Sequence, residues 1–170
     1  MTLDEINQLD SLSAQDAFAS CCSSESWINI MVEARPFSSI EAMHQAALDI
    51  WSGLKESDYL QAFEGHPKIG DVNSLRKKYA STKGLASNEQ SGVNSADEQT
   101  LLDLANGNDE YFKKNGFIFI VFATGKSASQ MLAILQDRLP NDRATEISNA
   151  AVEQSKITAL RLNKLLGLAQ

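Results

Sequence analysis

Along much of the chain, apolar residues return every three or four positions, the spacing that lines one face of an α-helix. Between Ser38 and Gly53 the residues Ile40, Met43, Ala47, Leu48 and Trp51 recur this way and predict an amphipathic helix. A second helix is predicted from about Ser127 to Leu139, with Met131, Leu132 and Leu135 inward, and Pro140 stops it. The longest runs from about Asp142 to Leu166. Its stripe through Ala150, Gln154, Ile157, Arg161, Leu165 and Leu168 is apolar except at two positions, so Arg161 is expected to point towards the protein. An inward arginine needs an anion, either an internal carboxylate or a ligand.

Helix-start chemistry recurs. Thr2 with Glu5, Ser38 with Glu41 and Ser95 with Glu98 each have the spacing at which two side chains satisfy each other's free backbone N–H groups. "FIFIVFA", residues 117–123, has strand composition, aromatic and β-branched, but no second strand is evident to pair with it. It reads as a buried helix or an extended core segment, and "ANGN", residues 105–108, as a short loop. With no internal repeat, low-complexity tract or visible domain boundary, the expected architecture is all-α. Residues 1–170 should form a single-domain multi-helix bundle with a long C-terminal helix.

Composition supports a packed core: 43% of the 170 residues are hydrophobic and 22% charged, the balance of an ordinary globular chain. A net charge of -7 argues against a general nucleic-acid binder, because neutralising phosphates needs surplus Lys and Arg. The short basic run Arg76, Lys77, Lys78 reads as a solvated helix face. No apolar run reaches the roughly 20 residues of a membrane span. The opening "MTLDEINQLD" lacks the features of a signal peptide, so a cytoplasmic protein without membrane contact is expected. Cys21 and Cys22 are adjacent; a bridge between them would be strained and their spacing fits no usual metal site, so they read as reduced packing residues.

Candidate chemistry centres on "EGHPKIGD", residues 64–71. Pro67 disfavours the α region for His66, so a helix through Tyr59, Leu60 and Phe63 must end near Gly65. The imidazole then sits at a helix C-terminus, where the dipole favours its protonated form; this suits a general acid/base as well as a structural loop residue. The other histidine, His44, lies on the apolar face of its helix and reads as a satisfied core residue. Two histidines without Cys or carboxylates at ligand spacing argue against a metal site. In "ASNEQSGV", residues 86–93, Ser87, Asn88, Glu89 and Gln90 form a dense polar cluster. Ser87 and Gln90 suit a capped helix start; if Glu89 met His66 instead, it would orient the imidazole and raise its pKa.

Five stretches carry a resemblance. "CCSSESWINIMVEARPF" (21–37), "EGHPKIGD", "NEQSGV", "NGFIFIVFATG" (115–125) and "ALRLNKLL" (159–166) stand in the order seen in the 2-oxo-4-hydroxy-4-carboxy-5-ureidoimidazoline (OHCU) decarboxylases of urate catabolism. The resemblance spans nearly the whole chain. It implies an all-α carboxy-lyase, usually a homodimer, that uses no metal or organic cofactor and converts OHCU, a small molecule, to (S)-allantoin. It also implies roles: His66 as the acid/base, Pro67 beside the substrate, Glu89 orienting the substrate or the histidine, and Gln90 in the same binding segment. The backbone of Phe119, Ile120, Val121, Phe122 and Ala123 resembles the surface that hydrogen-bonds the heterocycle, and Arg161 the residue that binds substrate oxygens. One departure is Ala86, where the family often has serine; Ser87 stands one residue later. Without the resemblance, a helical binding or scaffold module accounts for most single residues, and an acid/base enzyme acting on another cyclic ureide would keep the same site.

Overall fold

The structure, a computed structural model, describes residues 1–68, 71–80 and 91–168. Among them the regular elements are helices alone: α1 (Leu3–Gln8), α2 (Ser11–Ala19), α3 (Glu25–Glu33), α4 (Ile40–Ser52), α5 (Glu56–Glu64), α6 (Val72–Ala80), α7 (Ser91–Asn115), α8 (Ala128–Arg138) and α9 (Arg143–Leu165). The all-α expectation holds, with a long helix at the C-terminal end, but the longest helix is α7 with 25 residues against 23 in α9. By their internal contacts the residues fall into two compact units, one of Met1–His66 with Ile147–Gln170 and the other of Pro67–Glu146.

In the first unit, helix starts are fixed by side-chain caps. Thr2 and Glu5 form the predicted reciprocal box, with Thr2 N donating to Glu5 and Glu5 N to Thr2 Oγ1. On α4 the cap is Ser39, one residue later than expected: its hydroxyl accepts from Ala42 N at 3.0 Å, leaving Ser38 outside the helix. Met43, Ala47 and Trp51 of the predicted stripe are buried, whereas Leu48 is 50% exposed. The core gathers Phe18, Trp27, Met31, Met43 and Phe63 with Ala150 and Leu162 of α9. Phe18 meets Trp27 and Phe37 edge to face, at centroid distances of 6.0 and 6.4 Å. Each buried indole finds an acceptor: Trp27 donates to the Ala47 carbonyl at 3.0 Å and Trp51 to that of Ala151 at 2.9 Å. Cys21 and Cys22 are free and buried, as expected of packing residues.

On α9 the buried line is Ala150, Gln154, Thr158 and Leu162, continued just past the helix end by Leu166, at successive four-residue steps. The predicted stripe therefore holds at Ala150 and Gln154 and then drifts. Ile157, Arg161 and Leu165 are half-buried, and Leu168 lies past the helix end, exposed. The cause is helix geometry: the predicted stripe mixes steps of four and three, whereas the buried line steps by four throughout, so the two faces separate along the helix.

In the second unit α7 packs on α8 and on α6. Helix α7 runs without interruption through Ala105–Asn108, so the expected loop there is helix. Gly107 lies where Leu135 of α8 comes close, and a Cβ at 107 would stand 2.7 Å from Leu135 Cδ2, so the glycine serves helix packing rather than a turn. Ser95 lies inside α7 rather than at its start, and Glu98 pairs with Arg76 of α6. Arg76, Lys77 and Lys78 lie on the exposed face of α6, as predicted. Of the two readings of residues 117–123, the extended core segment is the one observed: Phe117, Phe119 and Ile120 are buried without helix or strand pairing.

A buried ion pair anchors that segment. Glu146 is fully buried and accepts from Arg138 Nε at 2.7 Å and from the Tyr111 hydroxyl at 2.6 Å. The Arg138 guanidinium also donates to the Ile120 carbonyl at 2.6 Å and lies 4.7 Å from the centre of the Phe119 ring. Burial, reinforced by the Glu146 carboxylate, holds the Tyr111 phenol far above its ordinary range, so it remains a donor.

Candidate active site

Helix α5 ends as the sequence predicts, at Glu64 with Gly65 as its C-cap, and His66 N donates back to the Phe63 carbonyl at 3.2 Å. This places the His66 side chain, half-buried, against α9. Its Nε2 lies 2.5 Å from Oε1 of Gln154, a side chain only 1% exposed. The other end of that amide donates to Thr158 Oγ1 at 3.1 Å, one turn further along α9. Arg161, half-buried on the same helix, donates from Nη1 to the Cys21 carbonyl at 3.4 Å. No carboxylate pairs with Arg161 among the described residues.

The electrostatics correct one expectation. The helix terminus should have favoured protonated His66; instead its pKa lies below the ordinary 6.5. Burial is the main cause and the positive charge of Arg161 adds to it, while the hydrogen bond to Gln154 opposes both. Desolvation thus outweighs the helix dipole, whose effect is modest and fades within a turn. Burial likewise pushes the Cys21 and Cys22 thiols up, so both stay neutral beside Arg161. At neutral pH the site presents an uncharged imidazole and a guanidinium on one face, an arrangement for holding an anion while a proton moves.

The remaining candidates divide as follows. Pro67 follows His66 directly, is exposed, and begins the second unit. Phe119, Ile120, Val121, Phe122 and Ala123 belong to the second unit; the first two are buried and the others half-buried. The backbone N–H groups of Phe119, Val121 and Ala123 meet no acceptor among the described residues, whereas the carbonyls of Ile120, Phe122 and Ala123 already accept from Arg138 and Lys126. Ser87, Glu89 and Gln90, and Ala86 with them, lie outside the described residues.

Gln154 and Thr158 carried no role in the sequence reading. The signal was present, since Gln154 was one of two polar positions in an otherwise apolar stripe, and a buried amide needs partners at both ends. His44 is half-buried and satisfied as predicted, its Nε2 2.9 Å from Asn163 Oδ1. It borders a cleft of about 620 Å³ between α4 and α9, lined by Trp27, Ile40, Leu48, Trp51 and Asn163, to which neither His66 nor Arg161 contributes. Among the described residues no cluster of His, Cys, Asp or Glu is placed to hold a metal ion, and no helix is long and apolar enough to cross a membrane.

With the fold and the His66–Gln154–Arg161 geometry described, comparison with known proteins gives the family. The OHCU decarboxylase family model matches residues 7–163. A uric acid degradation bifunctional protein of Arabidopsis thaliana, TTL, is 36% identical over 152 residues, which are 89% of this chain and 47% of that protein. The bifunctional protein PucL of Bacillus subtilis is 28% identical over 166 residues, 97% of this chain and 33% of its own length. The chain thus spans half or less of these two relatives. A crystal structure of OHCU decarboxylase in the presence of (S)-allantoin superposes with a TM-score of 0.70 at 35% identity, covering 89% of this chain and 98% of the other. The chain belongs to the OHCU decarboxylase family.

Proposed function

We propose that this chain decarboxylates OHCU to (S)-allantoin in urate degradation, as a carboxy-lyase acting through one domain over residues 1–170. The observation that carries the reading is the pairing, within one compact unit, of a half-buried neutral His66 with an Arg161 that has no carboxylate partner among the described residues. The family match supplies the substrate.

Loss of CO2 leaves an electron pair on the carbon that carried the carboxylate. The imine beside it can take up that charge, so the ring performs the task that a cofactor performs elsewhere. The protein has to hold one ring orientation, stabilise developing charge with fixed donors, and pass a proton to one face. In our reading neutral His66 accepts the proton of the 4-hydroxyl and returns it to the neighbouring ring carbon, which makes the product a single enantiomer, while the ring nitrogen left with the electron pair takes a proton from solvent. Arg161 holds substrate oxygens, and the backbone of Phe119, Val121 and Ala123 binds the heterocycle, with Ile120 and Phe122 shaping that segment, as the resemblance implies. Glu89 orients the ring or the histidine, Gln90 and Pro67 border the substrate, and Ser87 takes the place of the serine that the family often has at Ala86. On the strength of the resemblance we take the working form to be a cytoplasmic homodimer.

Turnover of freshly generated OHCU, compared with a panel of other cyclic ureides and followed as released CO2 and allantoin, tests the substrate. Saturable turnover of OHCU is expected; saturable turnover of only a different ureide would assign the site another reaction.

A further inference from the structure

We propose that Gln154 is a positioning residue that holds His66 as the Nε2–H tautomer, leaving Nδ1 as the nitrogen that exchanges protons with the substrate. This deepens, and rests on, the acid/base reading of His66. The amide has an acceptor end and a donor end. Its NH2 donates to Thr158 Oγ1 at 3.1 Å, the hydroxyl oxygen accepting through a lone pair. The amide oxygen then faces His66 at 2.5 Å, and an oxygen facing a ring nitrogen requires N–H there.

Two physical consequences support the assignment. An amide 1% exposed avoids its desolvation cost only if both ends are paired, and this arrangement pairs both. The imidazole also donates from Nε2 whether neutral or charged, so a proton can come and go at Nδ1 while the contact to Gln154 stays in place. Arg161 is the charged group whose field reaches the ring among the described residues, and it favours the neutral form in which Nδ1 is a base. The thiols of Cys21 and Cys22 stay uncharged.

The test reads the tautomer without substrate, so its failure is distinct from failure of the decarboxylase reading. In the ¹⁵N-histidine NMR spectrum of the wild-type chain, the His66 signals are identified by their loss in His66→Asn. Above its pKa His66 is expected to show a protonated Nε2 and an unprotonated Nδ1, and acid titration should protonate Nδ1. Gln154→Leu should mix the tautomers and lower kcat about 10- to 100-fold with a smaller effect on KM. Gln154→Glu should keep the Nε2–H tautomer and move the acid limb of the rate profile to higher pH. A wild-type His66 protonated at Nδ1 in its neutral form would overturn the proposal, whether or not Gln154→Leu folds. An unchanged tautomer in a folded Gln154→Leu chain would do the same.

Discussion

Gly65 brings the chain so close to Ser23 that a methyl group at 65 would fall on the Ser23 side chain. The backbone there is ordinary, with φ at -70°, so the glycine is required by contact and not by conformation. Because Gly65 is the cap immediately before His66, this contact helps fix where the imidazole enters the site. Gly65→Ala should cost about 1–3 kcal/mol in urea denaturation. It should also lower activity by displacing His66. Adding Ser23→Gly, which removes the obstructing atoms, should restore most of both.

The low pKa of His66 has a sign that can be checked. As pH falls below the ordinary 6.5, the unfolded chain takes up a proton at His66 that the folded chain still refuses. The unfolded state then binds more protons, so stability falls as pH drops from the unfolded value to the lowered folded one, and the penalty is complete below both. Urea midpoints between about pH 7.5 and about pH 5 should therefore decline more steeply for wild type than for His66→Asn. A steeper decline in the variant would contradict the burial argument.

Arg161 acts on His66 as well as on the proposed substrate. Its positive charge lowers the imidazole pKa, so Arg161→Met should raise that pKa, moving the acid limb of the rate profile upward. The same variant should raise KM through loss of the anion contact. A raised KM with an unmoved acid limb would place the arginine farther from the ring than the geometry indicates.

The Arg138–Glu146 pair makes a separate prediction for the second unit. Removing Glu146 as Glu146→Ala leaves a buried guanidinium uncompensated and should cost about 3–5 kcal/mol in thermal or chemical unfolding. Arg138 also holds the Ile120 carbonyl and stacks over Phe119, so Arg138→Met should disturb the 119–123 backbone, read as faster amide hydrogen exchange there.

Much of this was legible in the chain because local chemistry dictates it. Pro67 and Gly65 bound α5, Ser127 caps α8 with Gln130 in a reciprocal box, and the long final helix follows from periodicity. Errors arose where tertiary contacts decide. Ser95 and Glu98 have box spacing, yet α7 begins at Ser91, before them, and packs on α6, where Arg76 pairs with Glu98. Ala105–Asn108 has turn composition, yet Gly107 is needed for the approach of Leu135. Residues 117–123 could not be separated into helix or extended chain from composition, since what holds them, Arg138 and Tyr111, comes from distant positions. The site was half legible: His66 and Arg161 stood out singly, but the Gln154 contact that joins His66 to α9 spans 88 residues of sequence. The resting protonation of His66 was not legible, because the burial that lowers its pKa is a tertiary property.

The most direct test of the account is circular dichroism of freshly generated OHCU at neutral pH, followed with wild-type chain, with His66→Asn and without protein. The account predicts rapid appearance of optically active (S)-allantoin with wild type alone, the other two samples decaying slowly to racemic product. Three indistinguishable traces would contradict it and leave a helical binding module as the reading of this fold, while normal (S)-allantoin formation by His66→Asn would remove His66 from the chemistry.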